Sequence, residues 1–361
     1  MAAPTWPAIT SDEAAAALAR FPLAGRLERL CWHSPRPFSA ATLVDTGLGR
    51  FVLKRHHRRL RTPDGLAEEH RFIAHLARAG LAVPEVIAVT GGASAVGHGD
   101  WTYELHRVAE GADLYRDRQS WTPFLAPTHA RAAGVALARL HRASHGYAAP
   151  ARAPQPLVAS FTILPAADPM AAADADVAAR PALAALLAPR SWRRTLGSLF
   201  DTVGAGLGAL TAQPALWTHN DWHPSNLLWD AGAVRTVFDF GLADRSCALH
   251  DLATAIERSA VRWLDLDTDD DIGAAGAALD LIAGYATILP LTPADRALLV
   301  RLLPLVHVEF ALSEIDYFAG ILGDEASAVL AWDGYLLGHA AWFGSAAGRD
   351  FLRAIGGGGT G

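Results

Sequence analysis

Residues 217–244, WTHNDWHPSNLLWDAGAVRTVFDFGLAD, confine this chain more tightly than any other stretch. The runs Asn226–Trp229 and Val234–Phe240 flank the turn Asp230-Ala231-Gly232, a pattern that predicts a β-hairpin following a short strand at Leu216–Thr218. Ahead of it stand His219, Asp221 and Asn226, spaced His-x-Asp-x-x-x-x-Asn, and Asp239-Phe240-Gly241 closes it. The hairpin is expected to bring Asn226 and Asp239 side by side. These are hard oxygen donors of the kind that hold Mg2+ together with substrate phosphates. Asp221, on the preceding loop, is left free to orient an attacking hydroxyl and accept its proton. Phosphoryl transfer asks little more of a protein than that, positioning and charge neutralisation.

Composition sharpens the reading. Of 31 basic side chains all but one are arginine, and the exception is Lys54. Asparagine occurs only at Asn220 and Asn226, both inside the segment above. Arginine is a rigid planar fork and lysine a compact point charge, so a lysine kept in an arginine-rich chain marks a site that the fork does not suit. Lys54 falls on the predicted strand Arg50–His56, where it would meet nucleotide phosphates, and Glu69 on the following helix is placed to hold it.

Along the chain, Arg26–Ser34, Ala40–Thr46, Arg50–His56, Glu85–Thr90 and Trp101–Val108 read as strands around one helix, Gly65–Ala79. After Gly111 the pattern turns helical, with Thr128–His145 as an amphipathic helix, Ser191–Leu210 as another helix and a helical run from Asp251 to Leu352. Residues 148–190, rich in Ala and Pro with weak periodicity, read as an insertion or lid. The expected organisation is an N-terminal lobe over 1–106, a hinge at 107–111, a C-terminal lobe over 112–355 and a flexible tail at 356–361.

These motifs resemble the aminoglycoside phosphotransferase family of small-molecule kinases, relatives of choline and homoserine kinases and, more distantly, of protein kinases. The likeness runs over roughly Arg26–Trp263 and includes Ala138-Arg139-Leu140-His141 at a helix end and Tyr103–Gly111 as the way out of the small lobe. It implies an α+β, bilobal, protein-kinase-like fold: an N-terminal antiparallel sheet with one helix, and a larger, mostly helical C-terminal lobe. It also implies ATP and Mg2+, with Asp221 as the base, Asn226 and Asp239 on the metal, and Lys54 with Glu69 on the phosphates. The backbone from Arg107 to Ala109 would meet the adenine, and His219 and Asp251 would support the catalytic loop. Asp251 is also placed to cap its own helix. Two departures stand out: the turn Ser34–Ser39 has no glycine, and Asn220 replaces the arginine that protein kinases place before the catalytic aspartate.

The acceptor is expected between the catalytic loop and the C-terminal helices, where Glu257, Glu309 and Glu314 would suit an amine-bearing alcohol: an aminoglycoside-like antibiotic, an amino alcohol or a hydroxy amino acid. A protein kinase and a non-catalytic nucleotide-binding relative are the alternatives. A net charge of −6 offers no basic field for nucleic acid. Two cysteines, Cys31 and Cys247, make no disulfide framework and suit a reducing cytoplasm. The first residues lack the basic start of a secretory signal, and no stretch reads as a membrane span. His56, His57, His70 and His75 are read as needing no metal, and the run Asp265–Asp271 as a solvated loop or helix start.

Overall fold

Residues 40–46, AATLVDT, form a strand whose burial alternates strictly although its apolar residues do not, the second of a five-stranded sheet. The computed structural model describes residues 5–36, 38–158, 160–203 and 207–357. Its first elements are α1 (Ser11–Leu18), β1 (Leu27–His33), β2 (Ala40–Thr46), β3 (Gly49–His57), α2 (Pro63–Arg78), β4 (Val96–His98) and β5 (Trp101–Arg107). Further on come α3 (Pro127–Ser144), α4 (Pro169–Ala178), α5 (Pro181–Leu187), α6 (Trp192–Val203) and β6 (Ala215–Thr218). The hairpin strands β7 (Leu227–Asp230) and β8 (Ala233–Val237) follow, then β9 (Asp244–Cys247), α7 (Ala248–Ser259), α8 (Ala275–Ala286), α9 (Pro293–Leu302) and α10 (Val308–Asp316), and further helical turns to Ile355. Two compact units result, Met1–Gln119 with Leu227–Gly241, and Ser120–Asn226 with Leu242–Gly361.

In the first unit the sheet runs β1-β2-β3-β5-β4 with antiparallel neighbours, and Lys54 on β3 stands opposite Glu104 on β5. Val44, Phe51, Leu53 and Leu105 form its core with Leu18 and Phe21. Helix α2 starts where Thr62 accepts the Gly65 amide at 3.1 Å and Pro63 presets the first turn. Its apolar stripe, Leu66, Phe72, Ile73 and Leu76, is buried together with Glu69 and His70.

Two features of this unit differ from the sequence reading. Residues 85–90 do not form a strand: Val86 makes a single bridge to His106, and Val89 and Thr90 then bond to Ala93 and Arg20 as the chain turns into Gly91-Gly92. The Gly-rich connection holds β4 instead. Helix α1 was not expected, because its alanines carry almost no stripe; Thr10 caps it by accepting the Glu13 amide.

The hairpin packs with the first unit, although the expected boundaries at 106 and 112 would place it in the second. Ala112 and Trp229 exchange both backbone hydrogen bonds, at 2.7 and 2.9 Å, and the Val237 amide donates to Ala82 at 3.1 Å. Gly111 permits the approach. It has φ +116°, and a Cβ there would lie 2.8 Å from Leu228 Cβ.

In the second unit α3 lies against α8 with the backbones almost touching. A Cβ at Gly134 would lie 1.9 Å from the Leu281 carbonyl oxygen, and one at Gly284 would lie 2.0 Å from that of Arg131. Strand β6 pairs with β9, not with the hairpin. The segment read as an insertion or lid buries Leu157, Ile163, Leu164, Leu183 and Leu187 and docks on α10, where Leu157 donates its amide to Ser313 Oγ at 2.8 Å. Two short helices with apolar residues at irregular spacing hid that burial from a periodicity reading. Of the expected tail, 358–361 lies outside the described residues, as does Pro37 of the glycine-free turn. Among the described residues no helix is long and apolar enough to cross a membrane.

Candidate active site

In the second unit, β6 delivers the chain at Thr218 into the loop His219-Asn220-Asp221. Asn220 has φ +58°, a left-handed conformation that asparagine tolerates better than most side chains. Its Oδ1 accepts from Thr218 Oγ1 at 2.9 Å and Ser246 Oγ at 3.2 Å. One of the two asparagines is thus explained by backbone geometry. The amides of His219 and Asn220 donate to the two carboxylate oxygens of Asp251, at 3.0 and 2.8 Å. Asp251 is fully buried, and His141 Nε2 meets it at 2.9 Å while His141 Nδ1 meets Tyr285 Oη at 2.9 Å. Burial by itself would raise the Asp251 pKa, but the hydrogen bond and charge of His141 and the loop donors bring it below the ordinary carboxylate value. Asp251 does not cap its helix: α7 begins three residues earlier, at Ala248. Its carboxylate is spent on the loop. His219, also fully buried, accepts the Asp221 amide on Nδ1 at 3.2 Å.

Asp221 is gripped from several sides. Asn226 Nδ2 donates to its Oδ2 at 3.1 Å and to its backbone carbonyl at 2.9 Å. The Arg258 guanidinium is paired with Oδ1, and His223 Nε2 stands 3.4 Å from the same oxygen. Arg258 comes from the last turn of α7 and lies over the Phe310 ring at 4.8 Å. Sequence reasoning missed it, since one arginine among so many carries no signal.

The other half of the motif lies in the first unit. Leu227, directly after Asn226, pairs with Val237, two residues before Asp239. Asp239 also has positive φ, +62°, and its side chain is 45% exposed. Lys54 Nζ lies 3.1 Å from Asp239 Oδ1 and 4.0 Å from Glu104 Oε1. Burial of the ammonium would lower its pKa; the charges of Asp239, Glu104 and Glu69 more than reverse this and raise it. Glu69 is buried on α2 and acts on Lys54 through its charge without forming an ion pair with it. Phe240 is buried edge-on against Phe72 of α2, centroids 5.9 Å apart. The amides of Arg107 and Val108 are spent on the carbonyls of Glu85 and Arg50, which leaves that of Ala109 as the candidate adenine donor. Arg36, on the glycine-free turn, feels the charge of Asp239 while burial lowers its pKa.

Back in the second unit, a narrow recess with a cavity volume of only about 10 Å³ is lined by Asn220, Glu257, Arg258, His307, Glu309 and Tyr335, among others. Of the three acids expected at the acceptor end, Glu257 and Glu309 line this recess and Glu314 does not, and the three differ in kind. Glu309 takes five hydrogen bonds, from Ser160 Oγ, Thr162 N and Oγ1, Ile163 N and Leu164 N, at 2.8–3.2 Å, and so pins the 160–164 loop. Burial pushes Glu257 up to about 7, beside His339 Nδ1 at 2.7 Å, while burial holds that imidazole neutral. Glu314 is likewise pushed up to about 7 by burial, against the pull of Arg258.

An amide oxygen and a carboxylate are hard donors of the kind a divalent cation takes: Asn226 spends its Nδ2 on Asp221, which leaves its amide oxygen for such a role, and the Asp239 carboxylate faces Lys54 through Oδ1.

The chain is similar to known phosphotransferases. The sequence profile described as the phosphotransferase enzyme family, APH, matches residues 37–291. A homoserine kinase of Phenylobacterium zucineum (strain HLK1) is 30% identical over 315 residues, 85% of each chain. The structure of a microcompartment-associated aminopropanol kinase superposes with a TM-score of 0.59 at 19% identity, over 96% of this chain and 100% of that one. The amicoumacin kinase hAmiN, in complex with AMP-PNP and Ca2+, gives 0.58 at 14% identity, over 94% and 92%. At these identities the structural likeness establishes a kinase-like fold.

Proposed function

The chain belongs to the APH phosphotransferase enzyme family and is a phosphotransferase acting on hydroxyl groups; from that premise we propose that it transfers the γ-phosphoryl group of ATP, with Mg2+, to the hydroxyl of a small amine-bearing alcohol. The observation that carries this reading is the Asp221 carboxylate, fixed by Asn226 and Arg258 on a loop whose amides are clamped by buried Asp251.

Asp221 orients the acceptor hydroxyl and takes its proton at a carboxylate oxygen as the O–P bond forms. Asn226 and Asp239 would hold the metal, which when bound would neutralise charge on the transferring phosphates. Lys54 sits on the nucleotide phosphates, and the backbone from Arg107 to Ala109 on the adenine edge. At the acceptor end Glu257 and Glu314 are the candidate partners of an ammonium. Glu309 drops out, because its carboxylate is already spent. The homoserine kinase relative makes homoserine, an amine and a primary alcohol at once, the first acceptor to try.

The test is ADP release with Mg·ATP against homoserine, aminopropanol, other amino alcohols and aminoglycosides. Turnover with one of these supports the reading. Nucleotide binding without turnover for any hydroxyl compound favours a non-catalytic relative, and turnover on protein serine alone would refute the small-molecule assignment.

A further inference from the structure

Glu104 lies on the middle of β5, directly across from Lys54 on β3, with 1% of its side chain exposed. Three imidazoles converge on it: His56 Nε2 at 3.0 Å from Oε1, and His70 and His106 Nε2 at 2.6 and 2.8 Å from Oε2. They come from β3, α2 and β5, and nothing in the sequence announced the group. His106 shares a strand face with Glu104 by the two-residue period, and His70 reaches it from the buried side of α2.

Among the described residues, His70, Glu104 and His106 form a group with metal-ligand spacing. The distances speak for hydrogen bonds instead. Two ligands about 2.0–2.1 Å from a tetrahedral zinc stand about 3.3 Å apart, whereas these nitrogens lie 2.6 and 2.8 Å from one oxygen. His70 Nδ1 is buried without a partner, so its proton belongs on Nε2, facing the carboxylate. With each Nε2 protonated, the three rings supply three N–H donors to one buried carboxylate. Despite burial, which opposes it, the His106 charge and the three hydrogen bonds hold Glu104 well below the ordinary carboxylate range.

We infer that Glu104, caged by His56, His70 and His106, is the positioning residue for Lys54, in the role that sequence reading gives to Glu69. The inference rests on Lys54 being the phosphate-binding cation. Asp239 lies nearer to Lys54, but it is 45% exposed and its carboxylate is needed for the metal. Glu104 is enclosed and immobilised by its three donors, so it stays when Asp239 turns to the cation. The cage holds a fixed negative charge behind the ammonium, and Lys54 reaches forward from it.

Because Lys54 is the only lysine of the chain, amine acylation at fixed pH reads it alone, once the N-terminal peptide is separated by mass. In the full chain, Glu104→Gln should be acylated at Lys54 about tenfold faster than wild type, since the ammonium loses its buried counter-charge. The KM for ATP should rise more than kcat falls. Glu69→Gln should change labelling less, and His70→Gln should fall between. A Glu104→Gln protein labelled at the wild-type rate, or a larger acceleration from Glu69→Gln, would overturn the inference. If Glu104→Gln does not fold, His70→Gln against Glu69→Gln decides, with the same order expected. One equivalent of zinc retained by the purified protein would also overturn it. Labelling needs no acceptor, so a chain that labels as expected but never transfers phosphate would sink the proposed function and leave the cage standing.

Discussion

At the scale of single residues, the chain's rarest side chains stand where general chemistry leaves little choice. Asn220 accepts a left-handed backbone while its amide ties β6 to β9. Asn226 turns its nitrogen to Asp221. Lys54 lies between two carboxylates, at 3.1 and 4.0 Å. Asp221→Asn should cut kcat by about 10²–10⁴, the usual worth of a general base, with the KM for ATP nearly unchanged. Lys54→Arg should behave as a loss rather than a conservative exchange and raise the KM for ATP, because a planar fork does not fit a point-charge site. Two buried acids of the second unit give a pH prediction. Glu257 and Glu314 sit at about 7 because burial disfavours their ionised forms, and an ammonium bound beside them favours those forms. The KM of an amine acceptor should therefore fall as the pH rises through about 7, and Glu314→Gln should flatten the dependence. A KM that rises over that range would remove these acids from the acceptor site.

At the scale of elements, the loop Asn220 occupies is held from beneath by α7 and α3 through Asp251 and His141. Asp251→Asn leaves His141 without its buried partner and should cost about 3–5 kcal/mol, read by chemical unfolding. The folded pKa of Asp251 lies below its ordinary 3.8, so its contribution is present above that value and is lost as pH falls through the folded one. Wild type should lose stability in that acid window more steeply than the variant. Glu309→Gln should loosen the 160–164 segment, seen as faster amide exchange there, because four of the five donors it now satisfies lie in residues 162–164. The α2 stripe and the hairpin turn were legible because each follows a local rule. Helix α1 was hidden by its alanines, the bridge at Val86 by an apolar run that reads as a strand, and the packed 157–187 segment by a lack of period. The histidine cage around Glu104 was hidden for another reason: its members are spread from residue 56 to residue 106, and only the β3–β5 register and the buried face of α2 bring them together.

At the scale of the whole molecule, the kinase-like fold followed from the 217–244 segment and the sheet that precedes it, and the chain divides into units other than those its motifs suggest, with the Asp239 hairpin packed against Ala82, Glu110 and Ala112. Ligand linkage should be visible in the melting temperature. At 100 times Kd, a nucleotide that binds only the folded chain contributes about 2.7 kcal/mol, a shift of several degrees, and Mg·ATP should exceed ATP with chelator. The central claim is that the γ-phosphate reaches a small hydroxyl through Asp221. Phosphorus NMR of the product formed from Mg·ATP and homoserine or another amino alcohol, with Asp221→Asn alongside, tests it most directly. The account predicts a new phosphate-ester resonance that grows with ADP and is nearly absent in the variant. ADP accompanied only by free phosphate, or an ester formed equally well by Asp221→Asn, would contradict it.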